Sequence, residues 1–293
     1  MKLATSSYCF SPAIRDGRMT QKDCLFKTKE LGLDGLEYMD IQPPNGVSAE
    51  NYAEDLREES ERLGLPIVSY VVSDADLLYG CGGDLNAEVE RLCHMVDLTK
   101  ILGAKRMLHN VSGDFRKGTR GWRGVGQVLP RAVEAICRVA DYAAEKGICT
   151  MSENYGFLFE DSDRMEKLVN AVARPNYGLT VDIGNFVCVG EDPVTAVGRL
   201  APYAFFAHIK DFHIKSASKP NPGADFFRSR TGDYLRGAMI GQGDVPVFGC
   251  LSALKNSGYD GYASIEFEGV EDCLYALAVD AENLRRYLGR LEM

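Results

Sequence analysis

The sequence lacks the features that mark several classes of protein. Its 293 residues contain no run of 18 apolar residues, so no segment is expected to cross a bilayer and no membrane partner is expected. The first residues carry only a short apolar stretch before a charged turn, which is not typical of a secretory signal. The net charge is −9, and an acidic chain repels phosphate backbones, so we expect no nucleic-acid partner.

Thiol-based metal sites and dinucleotide motifs are missing as well. The nine cysteines are scattered without a CxxC pair, which favours free buried thiols in a reducing cytoplasm over disulfides or a thiolate zinc site. No glycine-rich fingerprint follows the first apolar segment, which weakens the alternative of an open, doubly wound nucleotide-binding sheet. We therefore expect a cytoplasmic protein of another α/β class.

Short apolar runs alternate eight times with longer stretches of helical periodicity. This alternation predicts buried parallel strands covered by helices, and eight units in this length fit a (β/α)8 TIM barrel. We expect residues 1–293 to form a single domain, with a long loop or lid at 213–245, where glycine and proline are frequent. The predicted strands are 3–10, 35–39, 66–73, 105–110, 148–153, 177–182, 204–209 and 262–267. The predicted helices are 21–31, 49–63, 86–102, 125–146, 162–173, 193–200, 247–257 and 271–288.

Four consecutive predicted strands each end in a residue that can bind a metal ion. These residues are Glu153, Asp182, His208 and Glu266. Active sites of such barrels lie at the carboxyl ends of the strands, about 4.8 Å apart, so the four side chains can converge on one ion. Three carboxylates and one imidazole suit Mn²⁺, which we favour, or Mg²⁺, with Co²⁺ and Zn²⁺ also compatible.

Other polar residues are candidates for the same pocket. Glu37 ends the second strand, where it could contact substrate or form a structural salt bridge. His109 ends the fourth strand and could bind substrate or act as a second base. Lys210 lies two residues after His208, so strand alternation places it on the same side, where it could neutralise an enolate. Trp122 could stack on a sugar ring or simply pack.

Five segments in order carry a resemblance to a known family. They are SENYG (152–156), LTVDIGNF (179–186), AHIKD (207–211), GQGDVP (241–246) and SIEFEG (264–269). Together they resemble the xylose isomerase-like barrel superfamily, and within it the sugar isomerase/epimerase branch with the ketose 3-epimerases and inosose dehydratases. The resemblance implies that the four strand-end residues bind the metal.

The resemblance also implies a reaction. The expected enzyme is a divalent-metal-dependent sugar isomerase or epimerase that removes a proton adjacent to a carbonyl of a small keto-sugar or polyol, through a metal-stabilised enediolate. In the epimerases the two metal-bound glutamates exchange the proton, and here these would be Glu153 and Glu266. Lys210 and His109 are further catalytic candidates. Relatives often pair, so a homo-oligomer is expected too, although no segment can be assigned as its interface.

The sequence departs from the ketose 3-epimerases at two places. Asn185 stands where those enzymes have a substrate-binding histidine, so we expect Asn185 to contact substrate in its place. The arginine that follows their seventh-strand histidine is absent. A metal-dependent dehydratase or lyase that acts on inosose or a 3-keto-glycoside by β-elimination therefore stays open as an alternative. Three further classes are less favoured: a three-zinc nuclease, a non-catalytic binding barrel, and a Schiff-base aldolase using Lys210.

Overall fold

The computed structural model describes residues 1–112 and 124–292. The strands are β1 (Lys2–Ser6), β2 (Gly35–Met39), β3 (Ile67–Val72), β4 (Arg106–His109), β5 (Cys149–Glu153), β6 (Tyr177–Asp182), β7 (Ala204–Ile209), β8 (Asp211–Lys215), β9 (Phe227–Arg228), β10 (Tyr234–Ala238) and β11 (Tyr262–Ile265). The α-helices are α1 (Ser11–Arg15), α2 (Asp23–Glu30), α3 (Ala49–Leu63), α4 (Leu85–Ile101), α5 (Val125–Lys146), α6 (Ser162–Val172), α7 (Pro193–Leu200), α8 (Val247–Asn256) and α9 (Cys273–Leu291).

Eight of the strands form a closed barrel. Neighbouring strands are hydrogen-bonded in the order β1, β11, β7, β6, β5, β4, β3 and β2, and β2 returns to β1. This confirms the predicted (β/α)8 fold. Among the described residues, no helix combines the length and apolar character needed to cross a membrane. All nine cysteines lie in the described part, and none of them forms a disulfide.

Residues Glu37–Thr180 form one compact unit. In it β3, β4 and β5 pair in parallel, with Val71 opposite Leu108 and Leu108 opposite Met151. Helix α5 buries a stripe of small and branched residues. It ends at Gly147, whose φ of 72° lies in the left-handed region that favours glycine because glycine has no Cβ. The apolar stripe and the glycine stop explain why the predicted bounds of this helix are those observed.

Met1–Leu36 and Val181–Met293 form the second compact unit. Here β11 lies between β1 and β7, and Ser264 is opposite both Ala4 and His208. Because side chains opposite one another in a sheet share a face, these three positions face the same way. The prediction that 1–293 is a single domain is not tested by this division and stays a prediction.

The segment after β7 differs from the predicted loop at 213–245. Strands β8, β10 and β9 pair antiparallel in that order, so the polar stretch contains a small sheet that we call the flap. The connections 216–226, 229–233 and 239–246 of this segment are irregular. The sequence did not reveal these strands, because strands this short carry little periodicity and glycines and prolines are frequent between them.

The buried carboxylate of Asp211, the first residue of β8, binds the segment 241–245 that follows β10. It accepts hydrogen bonds from the backbone N–H groups of Gly241 (2.8 Å), Gly243 (3.0 Å) and Val245 (3.1 Å). A Cβ on residue 243 would collide with the Asp211 carboxylate, so glycine is required there. These hydrogen bonds account for the two glycines of the GQGD sequence (241–244), because the backbone N–H groups of Gly241 and Gly243 bind Asp211.

We expect Asp211→Asn to lower the free energy of unfolding by roughly 2–4 kcal/mol, because the amide group replaces an acceptor oxygen with a donor facing N–H groups. Chemical denaturation measures this. Asp225→Asn is the matched control, since Asp225 is exposed on the same segment and should change stability by less than about 0.5 kcal/mol. Equal effects of the two changes would contradict this account of Asp211.

Asp280 on α9 should make stability depend on pH. Its Oδ1 accepts the N–H of Ile240 (2.6 Å), its Oδ2 has no hydrogen-bond partner among the described residues, and burial raises its pKa to about 7. The folded state therefore favours the protonated form, and this contribution to stability falls as the pH rises from about 4 to 7.

We expect Asp280→Asn, which mimics the neutral acid, to stabilise the protein by roughly 2 kcal/mol more at pH 8 than at pH 5. Urea denaturation at both pH values gives the difference between variant and wild type, in which other titrating groups cancel. An equal effect at the two pH values would show that Asp280 has an ordinary pKa.

Candidate metal centre

Asp182 is held at the end of β6 by its own turn. Its Oδ1 accepts hydrogen bonds from the backbone N–H of Gly184 (2.7 Å) and Asn185 (3.1 Å). Its Oδ2 lies 3.2 Å from Nζ of Lys210, and the side chain is fully buried. The two N–H bonds fix the orientation of the carboxylate, so one oxygen is committed to the turn and the other to the charged cluster.

His208 and Glu266 are brought together by strand pairing. Glu266 follows β11 two residues after Ser264, the residue opposite His208, and its N–H bonds the carbonyl of Ile209 (3.1 Å). Alternation then places both side chains on one face. Nδ1 of His208 lies 3.7 Å from Oε2 of Glu266, and both side chains are buried.

Glu153 ends β5 opposite Thr180 of β6. Because Thr180 and Asp182 are two residues apart on one strand, Glu153 and Asp182 share a face. Glu153, Asp182, His208 and Glu266 each offer one ligand atom, and these atoms all lie within 4.8 Å of one another. The structure thus assembles the four side chains chosen from the sequence.

The cluster has an uneven charge balance. Burial raises the pKa of Asp182, and Lys210 offsets this only in part. Burial would also raise the pKa of Glu266, but the positive charges of Lys210 and His208 lower it to about 2. A buried acid that resists ionisation beside one that is ionised indicates a site with too little positive charge for all its carboxylates.

The donor set fits a divalent ion. Three buried carboxylates and one imidazole provide the oxygen-rich coordination, with one nitrogen, that Mg²⁺, Mn²⁺ and Zn²⁺ accept in proteins. A divalent ion would also supply the positive charge that the raised pKa of Asp182 shows to be lacking. That these residues bind an ion stays a prediction.

Lys210 and Asn185, two predicted substrate contacts, lie at the same cluster. Nζ of Lys210 is 2.6 Å from Oε2 of Glu266 and 3.4 Å from Oδ1 of Asn185. Lys210 is buried, and Gly184 packs so closely on its carbonyl that an added Cβ would lie 2.8 Å away. Glu37, a third predicted contact, is fully buried on β2. Trp122 lies outside the described residues.

His109 is placed on the other face of the sheet from Glu153. The register pairs Met107 with Thr150 and Leu108 with Met151, so Leu108 shares the face of Glu153 and His109 does not. The imidazole instead stacks on Tyr177 with ring centroids 6.5 Å apart. Burial lowers the pKa of His109 to about 4, so the ring is neutral near pH 7. The structure does not bring His109 to the cluster.

The sequence reasoning missed two residues at the cluster. Oε1 of Glu268 lies 3.1 Å from Nζ of Lys210. Tyr8 follows β1, and burial together with the nearby charge of Glu268 raises the pKa of its hydroxyl. Both residues follow barrel strands at their carboxyl ends. A search for polar residues that continued past the predicted strand ends would have found Glu268.

The family is shown by comparison with known proteins. Residues 25–287 match the family model described as "Xylose isomerase-like TIM barrel". The chain therefore belongs to the xylose isomerase-like TIM barrel family. Comparison with curated proteins gave no significant sequence match.

Solved structures show the same fold. A zinc-bound IOLI protein superposes with a TM-score of 0.77 at 16% identity, covering 99% of both chains. An L-ribulose 3-epimerase gives 0.74 at 17% identity, covering 99% of this chain and 95% of its own. The probable 3-DHS dehydratase AsbF from Bacillus anthracis gives 0.72 at 18%, covering 97% and 99%. At these identities the likeness establishes the fold alone.

We expect the chelator-treated protein to take up one equivalent of divalent ion, and His208→Asn to lower the affinity at least about tenfold, because the ion loses its imidazole ligand. Titration calorimetry and metal analysis measure this. His94→Asn is the matched control, since His94 is an exposed histidine on α4. If His208→Asn binds the ion as wild type does, the assignment of the site is wrong.

Proposed function

We propose that the protein is a divalent-metal-dependent sugar isomerase or epimerase, which removes a proton adjacent to a carbonyl of a small keto-sugar or polyol. The observation that carries this proposal is the buried group of Glu153, Asp182, His208 and Glu266 at the carboxyl ends of four barrel strands. In this fold that rim is where active sites lie, and burying three carboxylates together there is unfavourable unless positive charge is supplied.

Glu153 and Glu266 are the proposed proton carriers. When bound, the divalent ion would polarise the substrate carbonyl and acidify the adjacent C–H. Lys210 and His208 keep the Glu266 carboxylate ionised, so it carries no proton before the reaction. It would take the substrate proton, and Glu153 would return a proton to the substrate. Asp182 and His208 hold the site in shape through the turn at Gly184 and the pairing of β7 with β11.

Lys210 and Asn185 are the proposed substrate contacts of this site. Nδ2 of Asn185 is buried and has no hydrogen-bond partner among the described residues, so it can donate to a substrate oxygen. The ammonium group of Lys210 can stabilise negative charge that develops on a substrate oxygen. Glu37 and Trp122 remain proposed contacts. His109 would reach substrate only if the end of β4 changed its orientation, so we place it last.

A dehydratase is the second candidate. It is favoured by Asn185, which offers an amide donor at the position where the ketose 3-epimerases have a titratable imidazole. Such an enzyme would use the same proton removal and then expel a leaving group from the β-carbon of an inosose or 3-keto-glycoside. One of the similar structures is a probable dehydratase, which is compatible with this alternative.

The finer assignments are also proposals. We propose Mn²⁺ as the ion, with Mg²⁺, Co²⁺ and Zn²⁺ as alternatives, since the mostly oxygen donor set suits them and one similar structure holds zinc. The nine thiols without disulfides are compatible with a reducing cytoplasm. Homo-oligomerisation stays an expectation from the family resemblance.

The test is a panel of keto-sugars and inososes in deuterium oxide, with each metal added to chelator-treated protein. A substrate should exchange one C–H with solvent, because proton removal precedes every outcome that we consider. We expect Glu153→Gln and Glu266→Gln each to lower this exchange by at least about a hundredfold, since the amide cannot accept the proton. Mass spectrometry or NMR measures the exchange.

Glu145→Gln serves as the matched control, because Glu145 is an exposed glutamate on α5 and its loss should leave exchange unchanged. Retained exchange in either variant would eliminate that glutamate as the proton carrier. Product analysis then separates the two candidates: an epimer or isomer supports the first, and loss of water or of an alcohol supports the dehydratase.

A further inference from the structure

The ammonium group of Lys210 contacts carboxylate oxygens that a bound metal ion would need as ligands. Its ammonium nitrogen lies 2.6 Å from Oε2 of Glu266 and 3.2 Å from Oδ2 of Asp182. A divalent ion bound to these carboxylates would sit about 2.0–2.2 Å from ligand oxygens. Two cations on the same oxygens repel each other strongly in a buried site. The ammonium group and the ion therefore compete for Asp182 and Glu266.

A second set of acceptors for the ammonium group stands beside the first. Oε1 of Glu268 lies 3.1 Å from Nζ of Lys210, and Oδ1 of Asn185 lies 3.4 Å away. Neither residue belongs to the four proposed metal ligands. Glu268 thus offers Lys210 a further carboxylate, one that lies outside the proposed ligand set and that an incoming ion leaves available.

The backbone around this second set is closely packed. Gly237 of β10 lies against the backbone of Glu268, where an added Cβ would collide with the Glu268 carbonyl. The N–H of Asn185 is bonded to Asp182. The flap and the β6 turn therefore fix the backbone of the two residues that carry these acceptors.

We propose that an entering divalent ion displaces Lys210 from Asp182 and Glu266, and that Glu268 retains the ammonium group beside the site. Glu268 is then a positioning residue: it stabilises Lys210 in the arrangement in which the ammonium group faces substrate rather than the metal ligands. This inference rests on the metal site of the proposed function and adds to it a role for a residue outside the four ligands.

The experiment is a double-mutant cycle on Mn²⁺ affinity, measured at one pH by competition with a chelating dye. Glu268→Gln should weaken Mn²⁺ binding about tenfold, because glutamine keeps an acceptor oxygen but lacks the negative charge that holds the displaced ammonium group. Lys210→Met should bind Mn²⁺ more tightly than wild type. In the Lys210→Met background, Glu268→Gln should change the affinity by less than about twofold. Glu271→Gln is the control for removal of a nearby charge, since Glu271 faces Arg236 at 3.7 Å.

A simple field effect of Glu268 on the ion would give the same loss with and without Lys210, and that result would overturn the proposal. A crystal structure of the wild type with Mn²⁺ provides a measurement that needs no variant. We expect Nζ of Lys210 within hydrogen-bond distance of Glu268 and away from Asp182 and Glu266. An ammonium group still on Asp182 beside the ion would also overturn it. If the wild type binds no ion at all, the metal site itself is wrong, which is a separate failure.

Discussion

The parallel pairing of β7 with β11 is the constraint on which the candidate site depends. It sets Ser264 opposite His208, and through alternation it turns His208 and Glu266 to one face at one rim. The pairing of β5 with β6 does the same for Glu153 and Asp182. A slip of one residue in either register would turn a ligand into the helix layer, so the barrel hydrogen bonds specify the site as well as the fold.

The cluster is then governed by charge. Burying three carboxylates together is unfavourable unless positive charge is supplied. Lys210 supplies part of it, lowering the pKa of Glu266, while the pKa of Asp182 stays raised. The proposed binding of an ion and the proposed relocation of Lys210 both follow from this lack of positive charge at the cluster. The flap matters to both, because β10 packs against the backbone of Glu268.

The errors of the sequence reasoning have physical causes. The four-ligand set depended only on strand order and strand ends, and both were visible in the hydrophobic pattern. His109 was misplaced because a strand end that is uncertain by one residue leaves the facing direction undecided. Strands β8 to β10 were missed because strands of two to five residues carry little periodicity. Tyr8 was missed because the predicted first strand extended to residue 10 and so placed it inside the strand, whereas β1 ends at Ser6. Glu268 was missed because it lies in a connection, where periodicity gives no direction.

The sequence by itself determined the alternation of eight strands and helices, most element bounds, and the four side chains that meet at the rim. These follow from local patterns: apolar runs, helix caps such as Ser48 and stops such as Gly64 and Gly147. Only the tertiary structure decided which face His109 takes, how Asp211 binds the segment after β10, and that Lys210 lies between two sets of acceptors. Those features depend on contacts between residues far apart in the chain, and a linear pattern does not encode their distances.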